Sequence, residues 1–120
     1  MKKILAADDN PVNQLILRGL LARLGYEFTI VENGHFAVEA AQSQSFDLIL
    51  MDCHMPEMDG YLATQKIRGI SSYAEVPIIA MTASGLTDEK ERCLQVGMTD
   101  YIAKPLDVVK IEAVLRKYII

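Results

Sequence analysis

Cysteine is scarce in this 120-residue chain: it has two, Cys53 and Cys93, far apart and in no CxxC unit. They read as ordinary thiols of a reducing compartment rather than a disulfide or a zinc site. No apolar run is long enough to span a bilayer, and the short run after Met1-Lys2-Lys3 breaks at Asp8 and Asp9, which argues against a signal peptide. An excess of positive charge is missing as well. A formal net charge of -4 speaks against nucleic acid as a direct partner, because phosphate backbones reward clustered Lys and Arg. Also absent are a Ser/His/Asp or Cys/His set, an HExxH unit and a Walker-type glycine-rich loop, which removes the usual hydrolase, metalloprotease and NTPase readings. The expected location is the cytoplasm, away from any membrane.

Apolar residues, by contrast, are plentiful. At 51% hydrophobic the chain has the material for one well-filled core, and the expectation is a single domain over residues 1-120 with no second domain. No repeat, linker or low-complexity tract divides it. Instead, short apolar runs alternate with segments of helical period. Ile4 to Ala7 is strand 1; Asn10 caps and Pro11 opens helix 1, whose stripe Ile16, Leu17, Leu20, Leu21 and Leu24 ends at Gly25. Phe28 to Val31 is strand 2, and Phe36, Ala37, Ala40 and Ala41 form the modest apolar side of helix 2. Leu48-Ile49-Leu50-Met51 suits a strand buried on both faces, and Asp59 caps a helix from Gly60 to about Arg68 with Leu62, Ile67 and Tyr61 inward. Val76 to Met81 is strand 4, stopping at Thr82-Ala83-Ser84-Gly85. Helix 4 runs from near Thr87 to Gly97, with Asp88 and Glu89 where the helix dipole favours acids. Tyr101 to Ala103 is strand 5, and Asp107 caps helix 5, in which Val108, Ile111, Val114, Leu115 and Tyr118 recur at helical spacing.

Alternating strands and helices with short connections predict an α/β fold: a doubly wound, five-stranded parallel sheet, flavodoxin-like, in the order 2-1-3-4-5, with five helices on two faces. In such sheets ligands bind beyond the carboxyl ends of the strands. Four of the five strands deliver chemistry there: Asp8 and Asp9 after strand 1, Asp52 after strand 3, Thr82 after strand 4 and Lys104 after strand 5. Singly, each has a bland reading as a turn former, helix cap or solvated cation. Together they suit phosphoryl transfer. Three crowded carboxylates call for a hard divalent cation, and Mg2+ accepts an all-oxygen set of carboxylates and a main-chain carbonyl. Lys104 and Thr82 can then read phosphoryl oxygens, and Asp52 can attack phosphorus to form an acyl phosphate without a general base.

These residues and their surroundings, namely Asp8-Asp9, Met51-Asp52-Cys53-His54-Met55-Pro56-Glu57-Met58-Asp59-Gly60, Met81-Thr82-Ala83 and Tyr101-Ile102-Ala103-Lys104-Pro105, resemble the response-regulator receiver domain along nearly the whole chain. The wording Asp8-Asp9-Asn10-Pro11-Val12-Asn13-Gln14 is similar to receivers of hybrid sensor histidine kinases. The resemblance implies that Asp52 is the phosphoacceptor and that Asp8, Asp9, Asp52 and the His54 backbone carbonyl hold Mg2+. It further implies that Thr82 and Lys104 bind the phosphoryl group, that Thr82 and Tyr101 form the switch, and that the Lys104-Pro105 peptide is cis. The partners it implies are a sensor histidine kinase or histidine phosphotransfer domain and a downstream protein or parent-chain domain. The domain would not be an enzyme on other molecules; it would catalyse its own phosphorylation. Its surface of helix 4, strand 5 and helix 5 would change with phosphorylation, and a dimer, if one forms, is expected through the same face.

Three other readings stand beside this one. An aspartyl-phosphate phosphatase of haloacid dehalogenase type would want a second acid two residues after Asp52, where His54 stands. A flavin or nucleotide binder would set three carboxylates against anionic phosphates. A degenerate receiver would bind partners without phosphorylation. Elsewhere, His35 is expected on a helix surface, His54 to lend its backbone and tune access with its ring, and Met51, Met55, Met58, Met81 and Met98 to fill the core. Val12, Leu15, Gly19 and Ala22 form a second, small apolar face on helix 1, suited to docking a histidine-bearing helical bundle.

Overall fold

The computed structural model describes residues 2–83 and 87–119. In chain order its elements are β1 Lys3–Ala7, α1 Pro11–Arg23, β2 Glu27–Val31, α2 Gly34–Ser43, β3 Leu48–Asp52, α3 Gly60–Arg68, β4 Ile78–Thr82, α4 Thr87–Gln95, β5 Asp100–Ala103 and α5 Val108–Ile119, with a 3-10 turn at Ser71–Tyr73. All strand pairs are parallel, in the order β2-β1-β3-β4-β5. Ser84 and Gly85, expected in the turn after β4, lie outside the described residues.

Strand parity decides the layering, because successive side chains point to opposite faces of a sheet. Leu48 and Leu50 of β3, with Ile4, Ala6, Ile79 and Met81 of its neighbours, pack against Leu17 and Leu21 of α1 and Ile111, Leu115 and Ile119 of α5. Ile49 and Met51, with Leu5, Ala7, Ile78 and Ala80, pack instead against Ala37 and Ala41 of α2, Tyr61, Ala63 and Ile67 of α3 and Cys93 of α4. A sheet covered on both faces explains why every residue of β3 and β4 is buried. Each large side chain so buried contributes about 1.5–3 kcal/mol.

The helix starts follow their caps. Asn10 Oδ1 accepts from the Val12 and Asn13 amides, Asn33 Oδ1 from Phe36, Asp59 Oδ1 from Leu62 and Asp107 Oδ1 from Lys110. Three expectations need correction. Leu62 is 44% exposed; the buried face of α3 runs through Gly60, Ala63, Thr64 and Ile67, and Leu62 sits across the helix from it. Phe36 is likewise exposed, the buried side of α2 being Ala37 and Ala41. The strand containing Ile78 begins there and not at Val76, since Pro77 has no N–H for the ladder, although its carbonyl still accepts from Ile49. Met51, Met55, Met81 and Met98 are buried and Met58 packs against the core as expected, while His35 is exposed on α2 beside Glu39. Among the described residues no helix is long and apolar enough to cross a membrane.

Candidate phosphoryl site

Register brings the acids together. Ala7 pairs with Met51, so the next residues, Asp8 and Asp52, emerge side by side; Asp52 pairs with Met81, and Thr82 with Ala103, which places Lys104 at the same edge. Carboxylate oxygens of Asp8, Asp9 and Asp52 all lie within 4.8 Å of one another. Asp8 and Asp52 are buried and Asp9 is exposed, so the cluster opens to solvent on one side. The Lys104 ammonium spans the two buried acids, with Nζ 3.3 Å from Asp8 Oδ2 and 3.2 Å from Asp52 Oδ2. The Lys104-Pro105 peptide is cis.

The loops hold each acid in place. Asp8 Oδ1 accepts from the Asn10 amide at 2.9 Å, and its backbone carbonyl from Gln14 Nε2 at 2.7 Å. Asp52 Oδ1 accepts from the His54 amide at 3.3 Å. Gly60 closes the loop after β3: its amide donates to the Cys53 carbonyl, and a Cβ there would run into the Asp52 carbonyl oxygen. Only glycine lets α3 start so close to the phosphoacceptor candidate.

Electrostatics sets the protonation states. Burial pushes the Asp52 carboxyl up to about 6, with the Asp8 charge adding to the rise while Lys104 and the His54 amide oppose it. At neutral pH it is mostly ionised and nucleophilic. Burial pulls the Lys104 ammonium down, but the Asp52 and Asp8 carboxylates outweigh it and hold its pKa above the ordinary value, so it stays charged. Asp8 Oδ2 is buried, and the Lys104 ammonium at 3.3 Å is the cation that faces it among the described residues. Three carboxylates facing a single ammonium leave uncompensated negative charge, and their all-oxygen cluster fits a hard divalent cation.

Strand parity also separates the site into two sides. Asp52 has the parity of Leu48 and Leu50, toward α1 and α5, whereas Thr82 and Tyr101 have the parity of the face covered by α2, α3 and α4. Thr82 is buried, and on α4 burial pushes the Glu89 carboxyl up while its polar neighbours Thr82, His54 and Tyr61 outweigh it and hold it below the ordinary range. The same carboxylate meets His54 Nε2 at 3.0 Å and the Tyr61 hydroxyl at 3.3 Å. Tyr101 is half-buried, with the Lys90 ammonium 4.6 Å from its ring centroid. Glu89 is the residue that sequence reasoning misses, since its position suggests no more than an acid suited to the helix dipole. The one signal for it is its place in the first turn of a helix that starts just beyond Thr82.

Comparison with known proteins follows the same lines. The family model described as the response regulator receiver domain matches residues 4–116. The chain is 42% identical over 119 residues to sensor protein GacS of Pseudomonas syringae pv. syringae, covering 97% of this chain and 13% of that protein. The chain therefore spans about an eighth of the length of that curated relative. Among solved structures, the receiver domain of sensor histidine kinase PA1611 from Pseudomonas aeruginosa, with a magnesium ion coordinated in its active site cleft, is 45% identical with a TM-score of 0.91, over 98% of this chain and 96% of that one. A Saccharomyces cerevisiae receiver domain of a downstream response regulator, crystallised with a histidine phosphotransfer signaling protein, is 28% identical with a TM-score of 0.86, over 98% of this chain and 86% of that one.

Proposed function

The chain belongs to the response regulator receiver domain family, and from that premise we propose that it takes a phosphoryl group from a partner's phosphohistidine onto Asp52 and signals by the change of surface that follows. The observation that carries this reading is the Lys104 ammonium spanning Asp8 and Asp52 within a three-carboxylate cluster at the end of the central strand. Asp8, Asp9, Asp52 and the His54 carbonyl are the residues that would hold Mg2+, which when bound supplies charge neutralisation to the phosphoryl oxygens.

The chain's own residues do the rest. An Asp52 carboxylate oxygen forms the new O–P bond as the N–P bond to the donor imidazole breaks, and the electron pair leaves with the imidazole nitrogen. Lys104 already lies against Asp52 Oδ2, and it neutralises a phosphoryl oxygen with little movement. The Thr82 hydroxyl supplies a hydrogen bond to another. Tyr101 then repacks into the space Thr82 leaves, altering the face of α4, β5 and α5, which is the surface read by a downstream partner or parent-chain domain.

The donor is a sensor histidine kinase or a histidine phosphotransfer domain. The magnesium-bound relative and the relative in complex with a phosphotransfer protein support the metal and the kind of partner. On this chain Val12, Leu15, Gly19 and Ala22 are all exposed along one side of α1, beside the Asp8-Asp9 loop, and form the docking face for the donor's helices. The test is intact mass after incubation with magnesium and acetyl phosphate, beside Asp52→Asn and a chelator control. One added phosphoryl group that requires both Asp52 and magnesium is expected; no addition to the unmodified chain would overturn the reading.

A further inference from the structure

β5 lies at the edge of the sheet, with β4 on one side and no strand of the described residues on the other. Backbone groups of a strand turn to opposite edges at successive residues, and the Lys104 amide turns inward, donating to the Thr82 carbonyl at 2.7 Å. The Ala103 carbonyl, one residue earlier, therefore turns to the open edge, where the ladder offers it no partner. Pro105 adds to the shortage, because it has no N–H with which to tie the loop down.

A side chain from α5 makes up the deficit. Lys110 Nζ donates to the Ala103 carbonyl at 3.1 Å and to the Pro105 carbonyl at 3.3 Å, and these are the residues on either side of Lys104. Lys110 is itself held, with its amide donating to Asp107 Oδ1 at 2.9 Å and its ammonium 3.9 Å from Asp107 Oδ2. It is the third residue of α5, where the helix dipole disfavours a cation, whereas Arg116 and Lys117 occupy the last turn, where the dipole favours them. Helix stability therefore does not account for a lysine at this position. Its side chain is 41% exposed, so replacing it leaves the packing of α5 on the sheet intact. Beyond Pro105 the loop is anchored a second time by Leu106, buried with Ile111 and Leu115. Between these anchors Lys104 reaches Asp8 and Asp52.

We propose that Lys110 is a positioning residue whose ammonium, bonded to the carbonyls on either side of Lys104, fixes the loop between β5 and α5 so that Lys104 is aimed at Asp8 and Asp52. The inference rests on the receiver reading above for what Lys104 then does, and adds to it the group that aims Lys104. Placement matters because Lys104 acts by meeting a phosphoryl oxygen at a set point, and a small displacement of such a group costs rate.

The test compares Lys110→Met and Lys110→Arg with the unmodified chain by two readouts. The first is amide hydrogen exchange, without donor or magnesium, at Lys104 and at Cys53, whose amide donates to the Met81 carbonyl on the far side of β4. Lys110→Met is expected to speed exchange at Lys104 about tenfold, the scale of losing a charge-assisted hydrogen bond, and to leave Cys53 unchanged. The second is the rate of Asp52 phosphorylation by acetyl phosphate with magnesium, expected to fall about three- to tenfold in Lys110→Met. Lys110→Arg, which keeps the charge and several donors, should restore both. Unchanged exchange at Lys104 in Lys110→Met would overturn the proposal; with a slower rate it would show that Lys110 merely attracts the anionic donor through its charge. Equal acceleration at Lys104 and Cys53 would mean general destabilisation and would overturn it too, as would an Arg variant no better than the Met variant. If the unmodified chain takes no phosphoryl group, the receiver reading itself fails and the role of Lys110 in that chemistry falls with it, a result that the exchange data keep separate from failure of the clamp.

Discussion

Replacing Asp52 with Asn should stabilise the protein while abolishing phosphorylation. Burial and the neighbouring Asp8 charge raise the Asp52 carboxyl from 3.8 to about 6, a net rise that already includes the opposing attraction of Lys104. A rise of that size corresponds to about 3 kcal/mol of unfavourable ionisation in the folded state. The sign follows from proton binding. Between pH 3.8 and about 6 the folded chain binds more protons at this position than the unfolded chain, so this group's contribution to stability falls as pH rises through that window. Below it both states are protonated, and Asn resembles the protonated acid. Thermal unfolding of both proteins in chelator should show Asp52→Asn more stable at pH 8 by about 3 kcal/mol, or roughly 10 °C for a domain of this size. The difference should shrink toward zero near pH 4. A gap that does not change with pH, or an Asn variant no more stable at pH 8, would refute the argument that ionised Asp52 is strained by its surroundings. Adding magnesium should narrow the gap from the wild-type side, because the cation stabilises the ionised acids by mass action.

Other expectations follow from neighbouring features. Gly60→Ala, whose Cβ would run into the Asp52 carbonyl, should lower stability by about 1–3 kcal/mol and slow phosphorylation by roughly tenfold or more; a wild-type rate would sink the placement argument. Thr64 is buried in α3 with a hydroxyl unpartnered among the described residues, so Thr64→Val, equal in shape, should gain about 1 kcal/mol in urea unfolding, and a loss would show that the hydroxyl has a partner. Leu15, 69% exposed on α1, lies on the proposed docking face; Leu15→Asp should slow phosphotransfer from a protein donor and leave acetyl phosphate labelling unchanged, and equal rates with the protein donor would place docking elsewhere. Cys53 and Cys93 lie with their sulfurs 3.8 Å apart and fully enclosed, and burial pushes the Cys53 thiol up to about 12. Iodoacetamide at pH 8 should modify neither in the native protein and both in guanidinium; rapid native labelling would contradict the burial.

Most of the fold is legible in the sequence because its determinants are local. Apolar runs of four or five residues, caps at Asn10, Asp59 and Asp107 and glycines after the helices mark the elements, and alternation of strand with helix leaves few ways to close a parallel sheet. Asp8, Asp9, Asp52, Thr82 and Lys104 are legible for a related reason: each ends a strand, and in a parallel sheet strand ends share one edge. The errors are also local in origin. Leu62 is as apolar as Ile67, and only the helix phase set by the packing of Ala63 and Thr64 turns it to solvent. Hydrophobicity alone places Phe36 inward, although the tight approach of α2 to α3 admits small residues, as Gly34, whose Cβ would lie 3.0 Å from that of Ala63, shows.

Two matters belong to the tertiary structure alone. The first is protonation: nothing in the residue type of Asp52 announces a carboxyl near 6, because the rise comes from the burial of the site and from Asp8, 44 positions away in sequence but next to it in register. The second is which groups surround the proposed switch residues, Thr82 and Tyr101. Thr82 and Tyr101 share a face with α4 through strand parity, yet the partnership of Glu89 with His54 and Tyr61 and the cover of Lys90 over Tyr101 depend on how α4 is rotated and seated on the sheet. The amino-acid sequence determined which element each residue occupies, since backbone preference and hydrophobic period act over a few residues. Rotation and seating are set by long-range packing, where contacts between distant segments compete, and a one-dimensional pattern carries no record of the winner.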